Sequence, residues 1–269
     1  MDPITPPDTA STPSTVYLVG AGPGDPELLT LKAVRVLQQA TVALVDDLAN
    51  PACLAHLSPT CRVVAVGKRG GCASTPQAFI ERLMVAEAQR GERVVRLKGG
   101  DPLVFGRAGE EIAALRAAGL HVEMVPGITA GMAAAASACA SLTHRQHAPG
   151  VIFVTGHRQP GGTSPRWDSL AQTGLTLVVY MGVAEAGNIQ AGLLAGGLPA
   201  DTPVLLVQAA STAHERRVGT NLAGLQAAIA TEQLGSPCVM IIGNAMAEAL
   251  QAAAQDNLLR ESPRRFRAA

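Results

Sequence analysis

Three glycines, Gly20, Gly22 and Gly24, follow the short apolar run Val16–Val19 in "VYLVGAGPGDPELLTLKAVRVL". Glycines placed this way after a strand can bring backbone N–H groups to a pyrophosphate at a helix N-terminus. The dinucleotide fingerprint needs a further glycine five residues after the first, and Asp25 stands there instead. Asp25 reads as a helix cap, with Pro26 suited to the first helical position and Glu27 to the positive end of the helix dipole. A carboxylate at that point repels phosphate. Asp46 and Asp47 nevertheless end the next strand where a ribose-binding acid would stand, so nicotinamide binding is a competing reading of this segment. A second glycine loop, Gly99-Gly100-Asp101-Pro102, weighs against it: one dinucleotide does not require another acidic strand-end loop, and bare backbone there admits a different ligand. Asp101 before Pro102 also has the simpler reading of a cap, as Asp25 before Pro26 does.

These loops need strands to carry them. Short β-branched runs predict strands near Val16–Gly20, Val42–Asp46, Val63–Gly67, Val94–Lys98 and His121–Val125, then Val151–Thr155, Leu175–Met181, Val204–Gln208 and Cys238–Gly243, with His214–Gly219 as an antiparallel edge. Helical patterns between them place Phe79, Ile80, Leu83 and Met84 on one face before Gly91, and Ile112 and Leu115 before Gly119. "MAAAASACA" predicts a small-residue helix. Alternation of this kind is the signal for parallel sheets with helix crossovers. The organisation expected is a leader at 1–14, α/β domains at 15–126 and 127–248 with a cleft at their junction, and a polar basic tail at 255–269. Strand ends repeatedly finish in polar glycine clusters ("VGAGPGDP", "VDDL", "VGKRGG", "RLKGGDPLVFGR", "VPGITAG", "LTHR", "VTGH", "VYMG"), which is where α/β folds collect ligands.

Composition narrows the partners. The 269 residues are 48% hydrophobic and 16% charged, enough for a substantial core. Lys plus Arg and Asp plus Glu number 21 each, so no global field points to nucleic acid or a membrane, and an anionic ligand must be met by local charge. Five cysteines lack a CxxC pair, and His144, His147 and His157 lack metal-ligand spacing, so no metal is expected. The start has neither the basic residues nor the apolar run of a signal peptide, which leads to a cytoplasmic expectation with free thiols.

The ordered set "VGAGPGDPELLTLKA", "GKR", "RLKGGDPLVFGR", "VPGITA", "LTHR", "TGH" and "YMG", spread from Val16 to Gly243, resembles the tetrapyrrole methylase family. That resemblance implies two α/β domains in the tetrapyrrole methylase fold, usually as a homodimer, and S-adenosylmethionine as methyl donor, released as S-adenosylhomocysteine. It implies C-methylation of uroporphyrinogen III at C2 and C7, through precorrin-1 to precorrin-2, feeding sirohaem, cobalamin or haem d1, by a stand-alone chain rather than half of a fused synthase. The positions matching the family's donor site are Pro23, Gly99, Gly100, Asp101, Val104, Thr129, Ala130, Met181 and Ala210. A sulfonium donor is cationic and apolar at its methyl, so backbone, one carboxylate and a methionine suit it better than a phosphate cradle. By spacing alone, Met181 reads as core.

The resemblance also assigns a proton acceptor to Asp46 and a proton donor to Lys68, and places Arg107, Glu110 and Arg145 against the substrate. An electron-rich pyrrole carbon attacks the methyl directly, so alignment and later proton removal are the protein's tasks, and arginines suit a substrate carrying eight carboxylates. Val45, Cys139, Ala140, Ser141, Asp47 and Gln146 depart from the family's usual residues on what is expected to be the substrate side. A sibling precorrin methylase, a nicotinamide oxidoreductase and a non-catalytic donor-binding sensor are the competing readings.

Overall fold

A computed structural model describes residues 15–67, 75–157 and 164–261. The chain divides into two compact units, Met1–Ile128 and Thr129–Ala269.

In the first unit, β1 (Thr15–Gly20), α1 (Leu31–Gln39), β2 (Val42–Val45), β3 (Arg62–Ala65), α2 (Gln77–Gln89), β4 (Val94–Lys98), α3 (Ala108–Ala117) and β5 (His121–Val125) follow in order. The sheet runs β3-β2-β4-β1-β5 with every pair parallel, so all five carboxyl ends point the same way. Both faces are covered, which is why β2 is a continuous apolar run and β4 is buried along its whole length, Arg96 and Lys98 included. Val19, Val95 and Leu97 pack with Ala33 and Leu37 of α1 on one face. On the other, Val16, Leu18, Leu44 and Val94 meet Ile80 and Met84 of α2 and Leu115 of α3. Each such buried aliphatic side chain contributes about 1.5–3 kcal/mol against the entropy of ordering it. Phe79, expected on the inner face of α2, is 47% exposed.

The first glycine loop leads not into the long helix but into a separate 3-10 turn, Pro26–Leu28, whose Glu27 N–H donates to Asp25 Oδ1 at 2.9 Å. Asp25 is therefore a cap, of a different element. Thr30 caps α1 itself, accepting from Ala33 N–H at 3.1 Å, because Leu29 and Thr30 hold extended backbone that interrupts the helix.

The second unit contains α4 (Ala130–Ser137), β6 (Val151–Thr155), α5 (Trp167–Ala171), β7 (Thr176–Tyr180), α6 (Ala186–Ala195), β8 (Pro203–Gln208), β9 (Arg216–Asn221), α7 (Leu225–Thr231), β10 (Cys238–Ile242) and α8 (Ala247–Glu261). Its sheet, β6-β7-β10-β8-β9, is mixed: β6 and β7 are parallel, while β10 runs against both its neighbours and β9 against β8. This corrects the expectation of a second parallel sheet. β10 is buried along its whole length, and a uniformly apolar run carries no sign of its direction. The edge strand appears as expected from the pattern, two residues further on at Arg216–Asn221, since the short link from β8 leaves no room for a crossover helix. α8 continues through Glu261, into the stretch expected to be a tail, on a run of strong helix formers in "EALQAAAQ".

Candidate functional site

At the carboxyl end of the first sheet the two glycine loops close on one another. Ala21 N–H donates to Lys98 O at 2.7 Å, Gly22 N–H to Gly100 O at 3.2 Å and Gly100 N–H to Gly22 O at 2.7 Å. A Cβ on Gly20 would stand 2.6 Å from Gly127 N, and one on Gly127 would stand 2.3 Å from Gly100 O. The glycines thus serve close approach of three backbone segments, and the N–H groups of Gly22 and Gly100 are used within the protein rather than offered to a phosphate. Asn50 Nδ2 donates to Gly24 O at 2.5 Å and fixes the far side of the first loop, on which Pro23 is half-buried.

Asp101 ties the second loop down with both oxygens: Oδ1 accepts Leu103 N–H at 2.7 Å and Oδ2 accepts Gly127 N–H at 3.0 Å. Gly99, Gly100 and Val104 are half-buried around it. Beyond it, Phe105 and Arg107 hold left-handed backbone at φ 53° and 56°. Strain of this kind collects where a loop's shape is imposed by its task.

Arg107 and Glu110, on the first turn of α3, form a forked pair at 2.9 and 2.5 Å. That hydrogen bonding holds Arg107 above, and Glu110 below, their ordinary values. Both side chains are more than half exposed, so the pair adds little stability and can exchange partners. Asp46, at the end of β2, accepts from Asp47 N–H at 3.0 Å and from Arg96 Nη2 at 3.4 Å. Lys68 lies outside the described residues. Asp46, Arg107 and Glu110 therefore share the sheet end with the glycine loops.

In the second unit, β6, β7 and β8 run in the same direction, each of β7 and β8 being antiparallel to β10. Their carboxyl ends bring Met181 and Ala210 to one edge, joined by the start of α4, where Thr129 Oγ1 lies 2.7 Å from the Tyr180 hydroxyl. Met181 is 49% exposed with φ 54°, which excludes the reading of this residue as core. Ala209 and Ser211, flanking the buried Ala210, are also left-handed, at φ 50° and 60°. Ala130 is half-buried at the first turn of α4. Arg145 is exposed and without a hydrogen bond or ion pair among the described residues. Its turn, through His147 and Ala148, lines a small cavity with Thr176 and Gly243, at the amino end of β7 rather than beside Met181.

Three polar residues of the first unit escaped the sequence reading. Arg96 and Lys98 on β4 and Glu111 on α3 form a buried charge cluster beneath Asp46. The signal was present in "VVRLKGG", since two cations two residues apart on a central strand face one side and demand a buried anion. Burial, with Arg96 adding repulsion, pushes the Lys98 amine below its ordinary value against the pull of Glu111. Val45, expected on the substrate side, instead packs among Ala21, Cys53 and Leu97, because it faces the opposite side of β2 from Asp46. Among the described residues no group of His, Cys, Asp and Glu is placed to hold a metal, and no helix is long and apolar enough to cross a membrane.

Fold and site define a two-unit α/β protein with polar and glycine-rich residues gathered at strand ends, its glycine loops locked to each other instead of open to phosphate. The family model for Tetrapyrrole (Corrin/Porphyrin) Methylases matches residues 15–226, and the chain belongs to that family. It is 55% identical over 229 residues to a uroporphyrinogen-III C-methyltransferase of Pseudomonas aeruginosa, covering 85% of this chain and 92% of that one. Its structure resembles that of uroporphyrin-III C-methyl transferase from Thermus thermophilus complexed with S-adenosyl homocysteine, with TM-score 0.74 and 42% identity over 86% of this chain and 93% of the other. A cobalt precorrin-4 methyltransferase gives TM-score 0.77 at 29% identity, over 87% and 96% of the two chains.

Proposed function

We propose that the protein is an S-adenosylmethionine-dependent C-methyltransferase that methylates uroporphyrinogen III at C2 and then C7, giving precorrin-2 through precorrin-1. The observation that carries this reading is the 55% identity, over 92% of its length, to a relative bearing that activity in its name. The relative solved with S-adenosyl homocysteine supports the choice of donor. The precorrin-4 relative has the higher TM-score but only 29% identity, so backbone similarity does not separate the siblings and sequence favours the earlier substrate.

In this reading the donor-binding positions are Pro23, Gly99, Gly100, Asp101, Val104, Thr129, Ala130, Met181 and Ala210, as the family resemblance assigns them. The closed glycine loops suit a ligand with no phosphate, and an exposed methionine suits a sulfonium. Arg107, Glu110 and Arg145 meet the substrate. A substrate carboxylate replaces Glu110 on the Arg107 fork, which frees Glu110 for pyrrole N–H groups. Transfer forms a carbon–carbon bond as the donor's C–S pair returns to sulfur, and the macrocycle then loses one proton to Asp46, while Lys68 holds the position that the family resemblance assigns to a proton donor. The protein works as a cytoplasmic homodimer without nucleic acid or membrane.

Anaerobic incubation with uroporphyrinogen III and S-adenosylmethionine, followed by mass spectrometry, tests the proposal. Two methyl groups added are expected. One would mean a stalled second step, and none, with S-adenosylhomocysteine still bound, would favour a sibling substrate or a sensor.

A further inference from the structure

Arg96 and Lys98 sit on the face of β4 covered by α2 and α3, 2% and 4% exposed, and both reach Glu111, which is fully buried. One oxygen does all the accepting: Glu111 Oε1 takes Arg96 Nε at 3.2 Å, Lys98 Nζ at 3.0 Å and Gln77 Nε2 at 3.3 Å. Its Oε2 is buried with no partner among the described residues. The guanidinium of Arg96 is held on every side, since Nη1 donates to Leu44 O at 3.4 Å and Leu97 O at 3.2 Å while Nη2 reaches Asp46 Oδ2 at 3.4 Å. Of the two cations and two carboxylates in the cluster only Asp46 reaches the surface, with its side chain 34% exposed. Buried ionic groups are a poor source of stability compared with apolar residues of the same volume, so an overloaded, half-satisfied carboxylate calls for another purpose.

We propose that Glu111 is a positioning residue for Asp46, acting through Arg96: it anchors the guanidinium from beneath the sheet end and so fixes the Asp46 carboxylate among the strand-end loops. The inference rests on the reading of Asp46 as the group that takes the substrate's proton. Asp46 receives one donor on each oxygen, from Asp47 N–H and from Arg96, which sets its orientation and leaves an accepting lone pair on each oxygen for the substrate. Lys98 pairs with Glu111 at 3.0 Å, so the cluster's two cations match its two carboxylates, and burial already pushes the Lys98 amine down.

Because Glu111→Gln alone strands two buried cations, the test pairs it with Lys98→Met, which removes one charge of each sign. The double variant is expected to keep the wild-type circular dichroism spectrum and S-adenosylhomocysteine affinity. Its kcat for methylation of uroporphyrinogen III should fall roughly 10- to 100-fold, with KM for both substrates within about twofold, as expected for a displaced catalytic group. Exchange of the Arg96 Nε–H with solvent, read by 15N NMR and assigned with Arg96→Lys, should quicken about tenfold or more as its buried carboxylate acceptor gives way to a neutral amide oxygen. A folded double variant with wild-type kcat and unchanged Arg96 exchange overturns the proposal, and so does a kcat loss that merely tracks lost donor affinity. Asp46→Asn separates the two readings. If it turns over at the wild-type rate, the Asp46 assignment fails and the catalytic sense of the proposal with it. Unchanged Arg96 exchange in the double variant defeats the anchoring alone.

Discussion

The Tyr180 hydroxyl stands 2.7 Å from Thr129 Oγ1 and 2.7 Å from Gly131 N, so the last residue of β7 caps the first turn of α4. Gly131 N–H donates to the hydroxyl oxygen, and Thr129, in the N-cap position, spends its side chain on Tyr180 rather than on its own helix. A Cβ on Gly131 would lie 2.5 Å from that hydroxyl, which explains a glycine in the first turn. Tyr180→Phe strands the Gly131 N–H and should cost about 1–3 kcal/mol in urea denaturation, with weaker S-adenosylhomocysteine binding through Thr129 and Ala130. A loss below roughly 0.5 kcal/mol would show that other contacts hold this turn.

Glycine substitutions separate close approach from loop freedom. Gly127→Ala drives a methyl to 2.3 Å from Gly100 O, where backbone faces backbone and nothing flexible can yield. It should destabilise by about 1–3 kcal/mol or more and reduce donor binding. Gly109→Ala, on α3 with nothing within 4 Å of the new methyl, should instead stabilise by about 0.5–1 kcal/mol. Thermal melts of both variants, with calorimetry using S-adenosylhomocysteine, check the contrast.

The strands of both units were legible in the sequence because β-branched runs bounded by glycine and proline have few other uses. What eluded it was relational. The glycines of "VGAGPGDP" look the same whether they face a phosphate or another backbone, and only the pairing of Gly22 with Gly100 decides between them. Direction of β10, the face of β2 that Val45 takes, and the convergence of Arg96, Lys98 and Glu111 all depend on neighbours distant in the chain. Met181 was ambiguous for the same reason, since a methionine after an apolar strand fits either core or ligand until its exposure is known.

Substrate and donor should be separable by mutation. In the proposed function Arg107→Ala removes a charge that only the carboxylated tetrapyrrole uses, and its exposed pair with Glu110 adds little to stability. KM for uroporphyrinogen III should rise while S-adenosylhomocysteine affinity stays the same. Asp101→Asn leaves one oxygen for Leu103 N–H and turns an amide toward Gly127 N–H, donor against donor. That variant should lose about 1–3 kcal/mol and bind the donor less tightly. Unchanged affinity by calorimetry would confine Asp101 to holding the loop.

Lys98 makes the last expectation a matter of sign. Its amine is held below the ordinary value of 10.5, chiefly by burial. Between the lowered folded value and 10.5 the unfolded chain binds a proton that the folded protein does not, so this residue makes stability rise with pH across that window. Below the folded value both states carry the proton and the slope vanishes. Lys98→Met has no such titration and leaves Glu111 paired with Arg96. The stability of the wild-type protein relative to this variant should therefore climb as pH rises from the lowered folded value toward 10.5. Urea denaturation of both proteins across that range measures the difference. Parallel curves would mean that Lys98 remains fully solvated in solution and that the buried cluster is open to water.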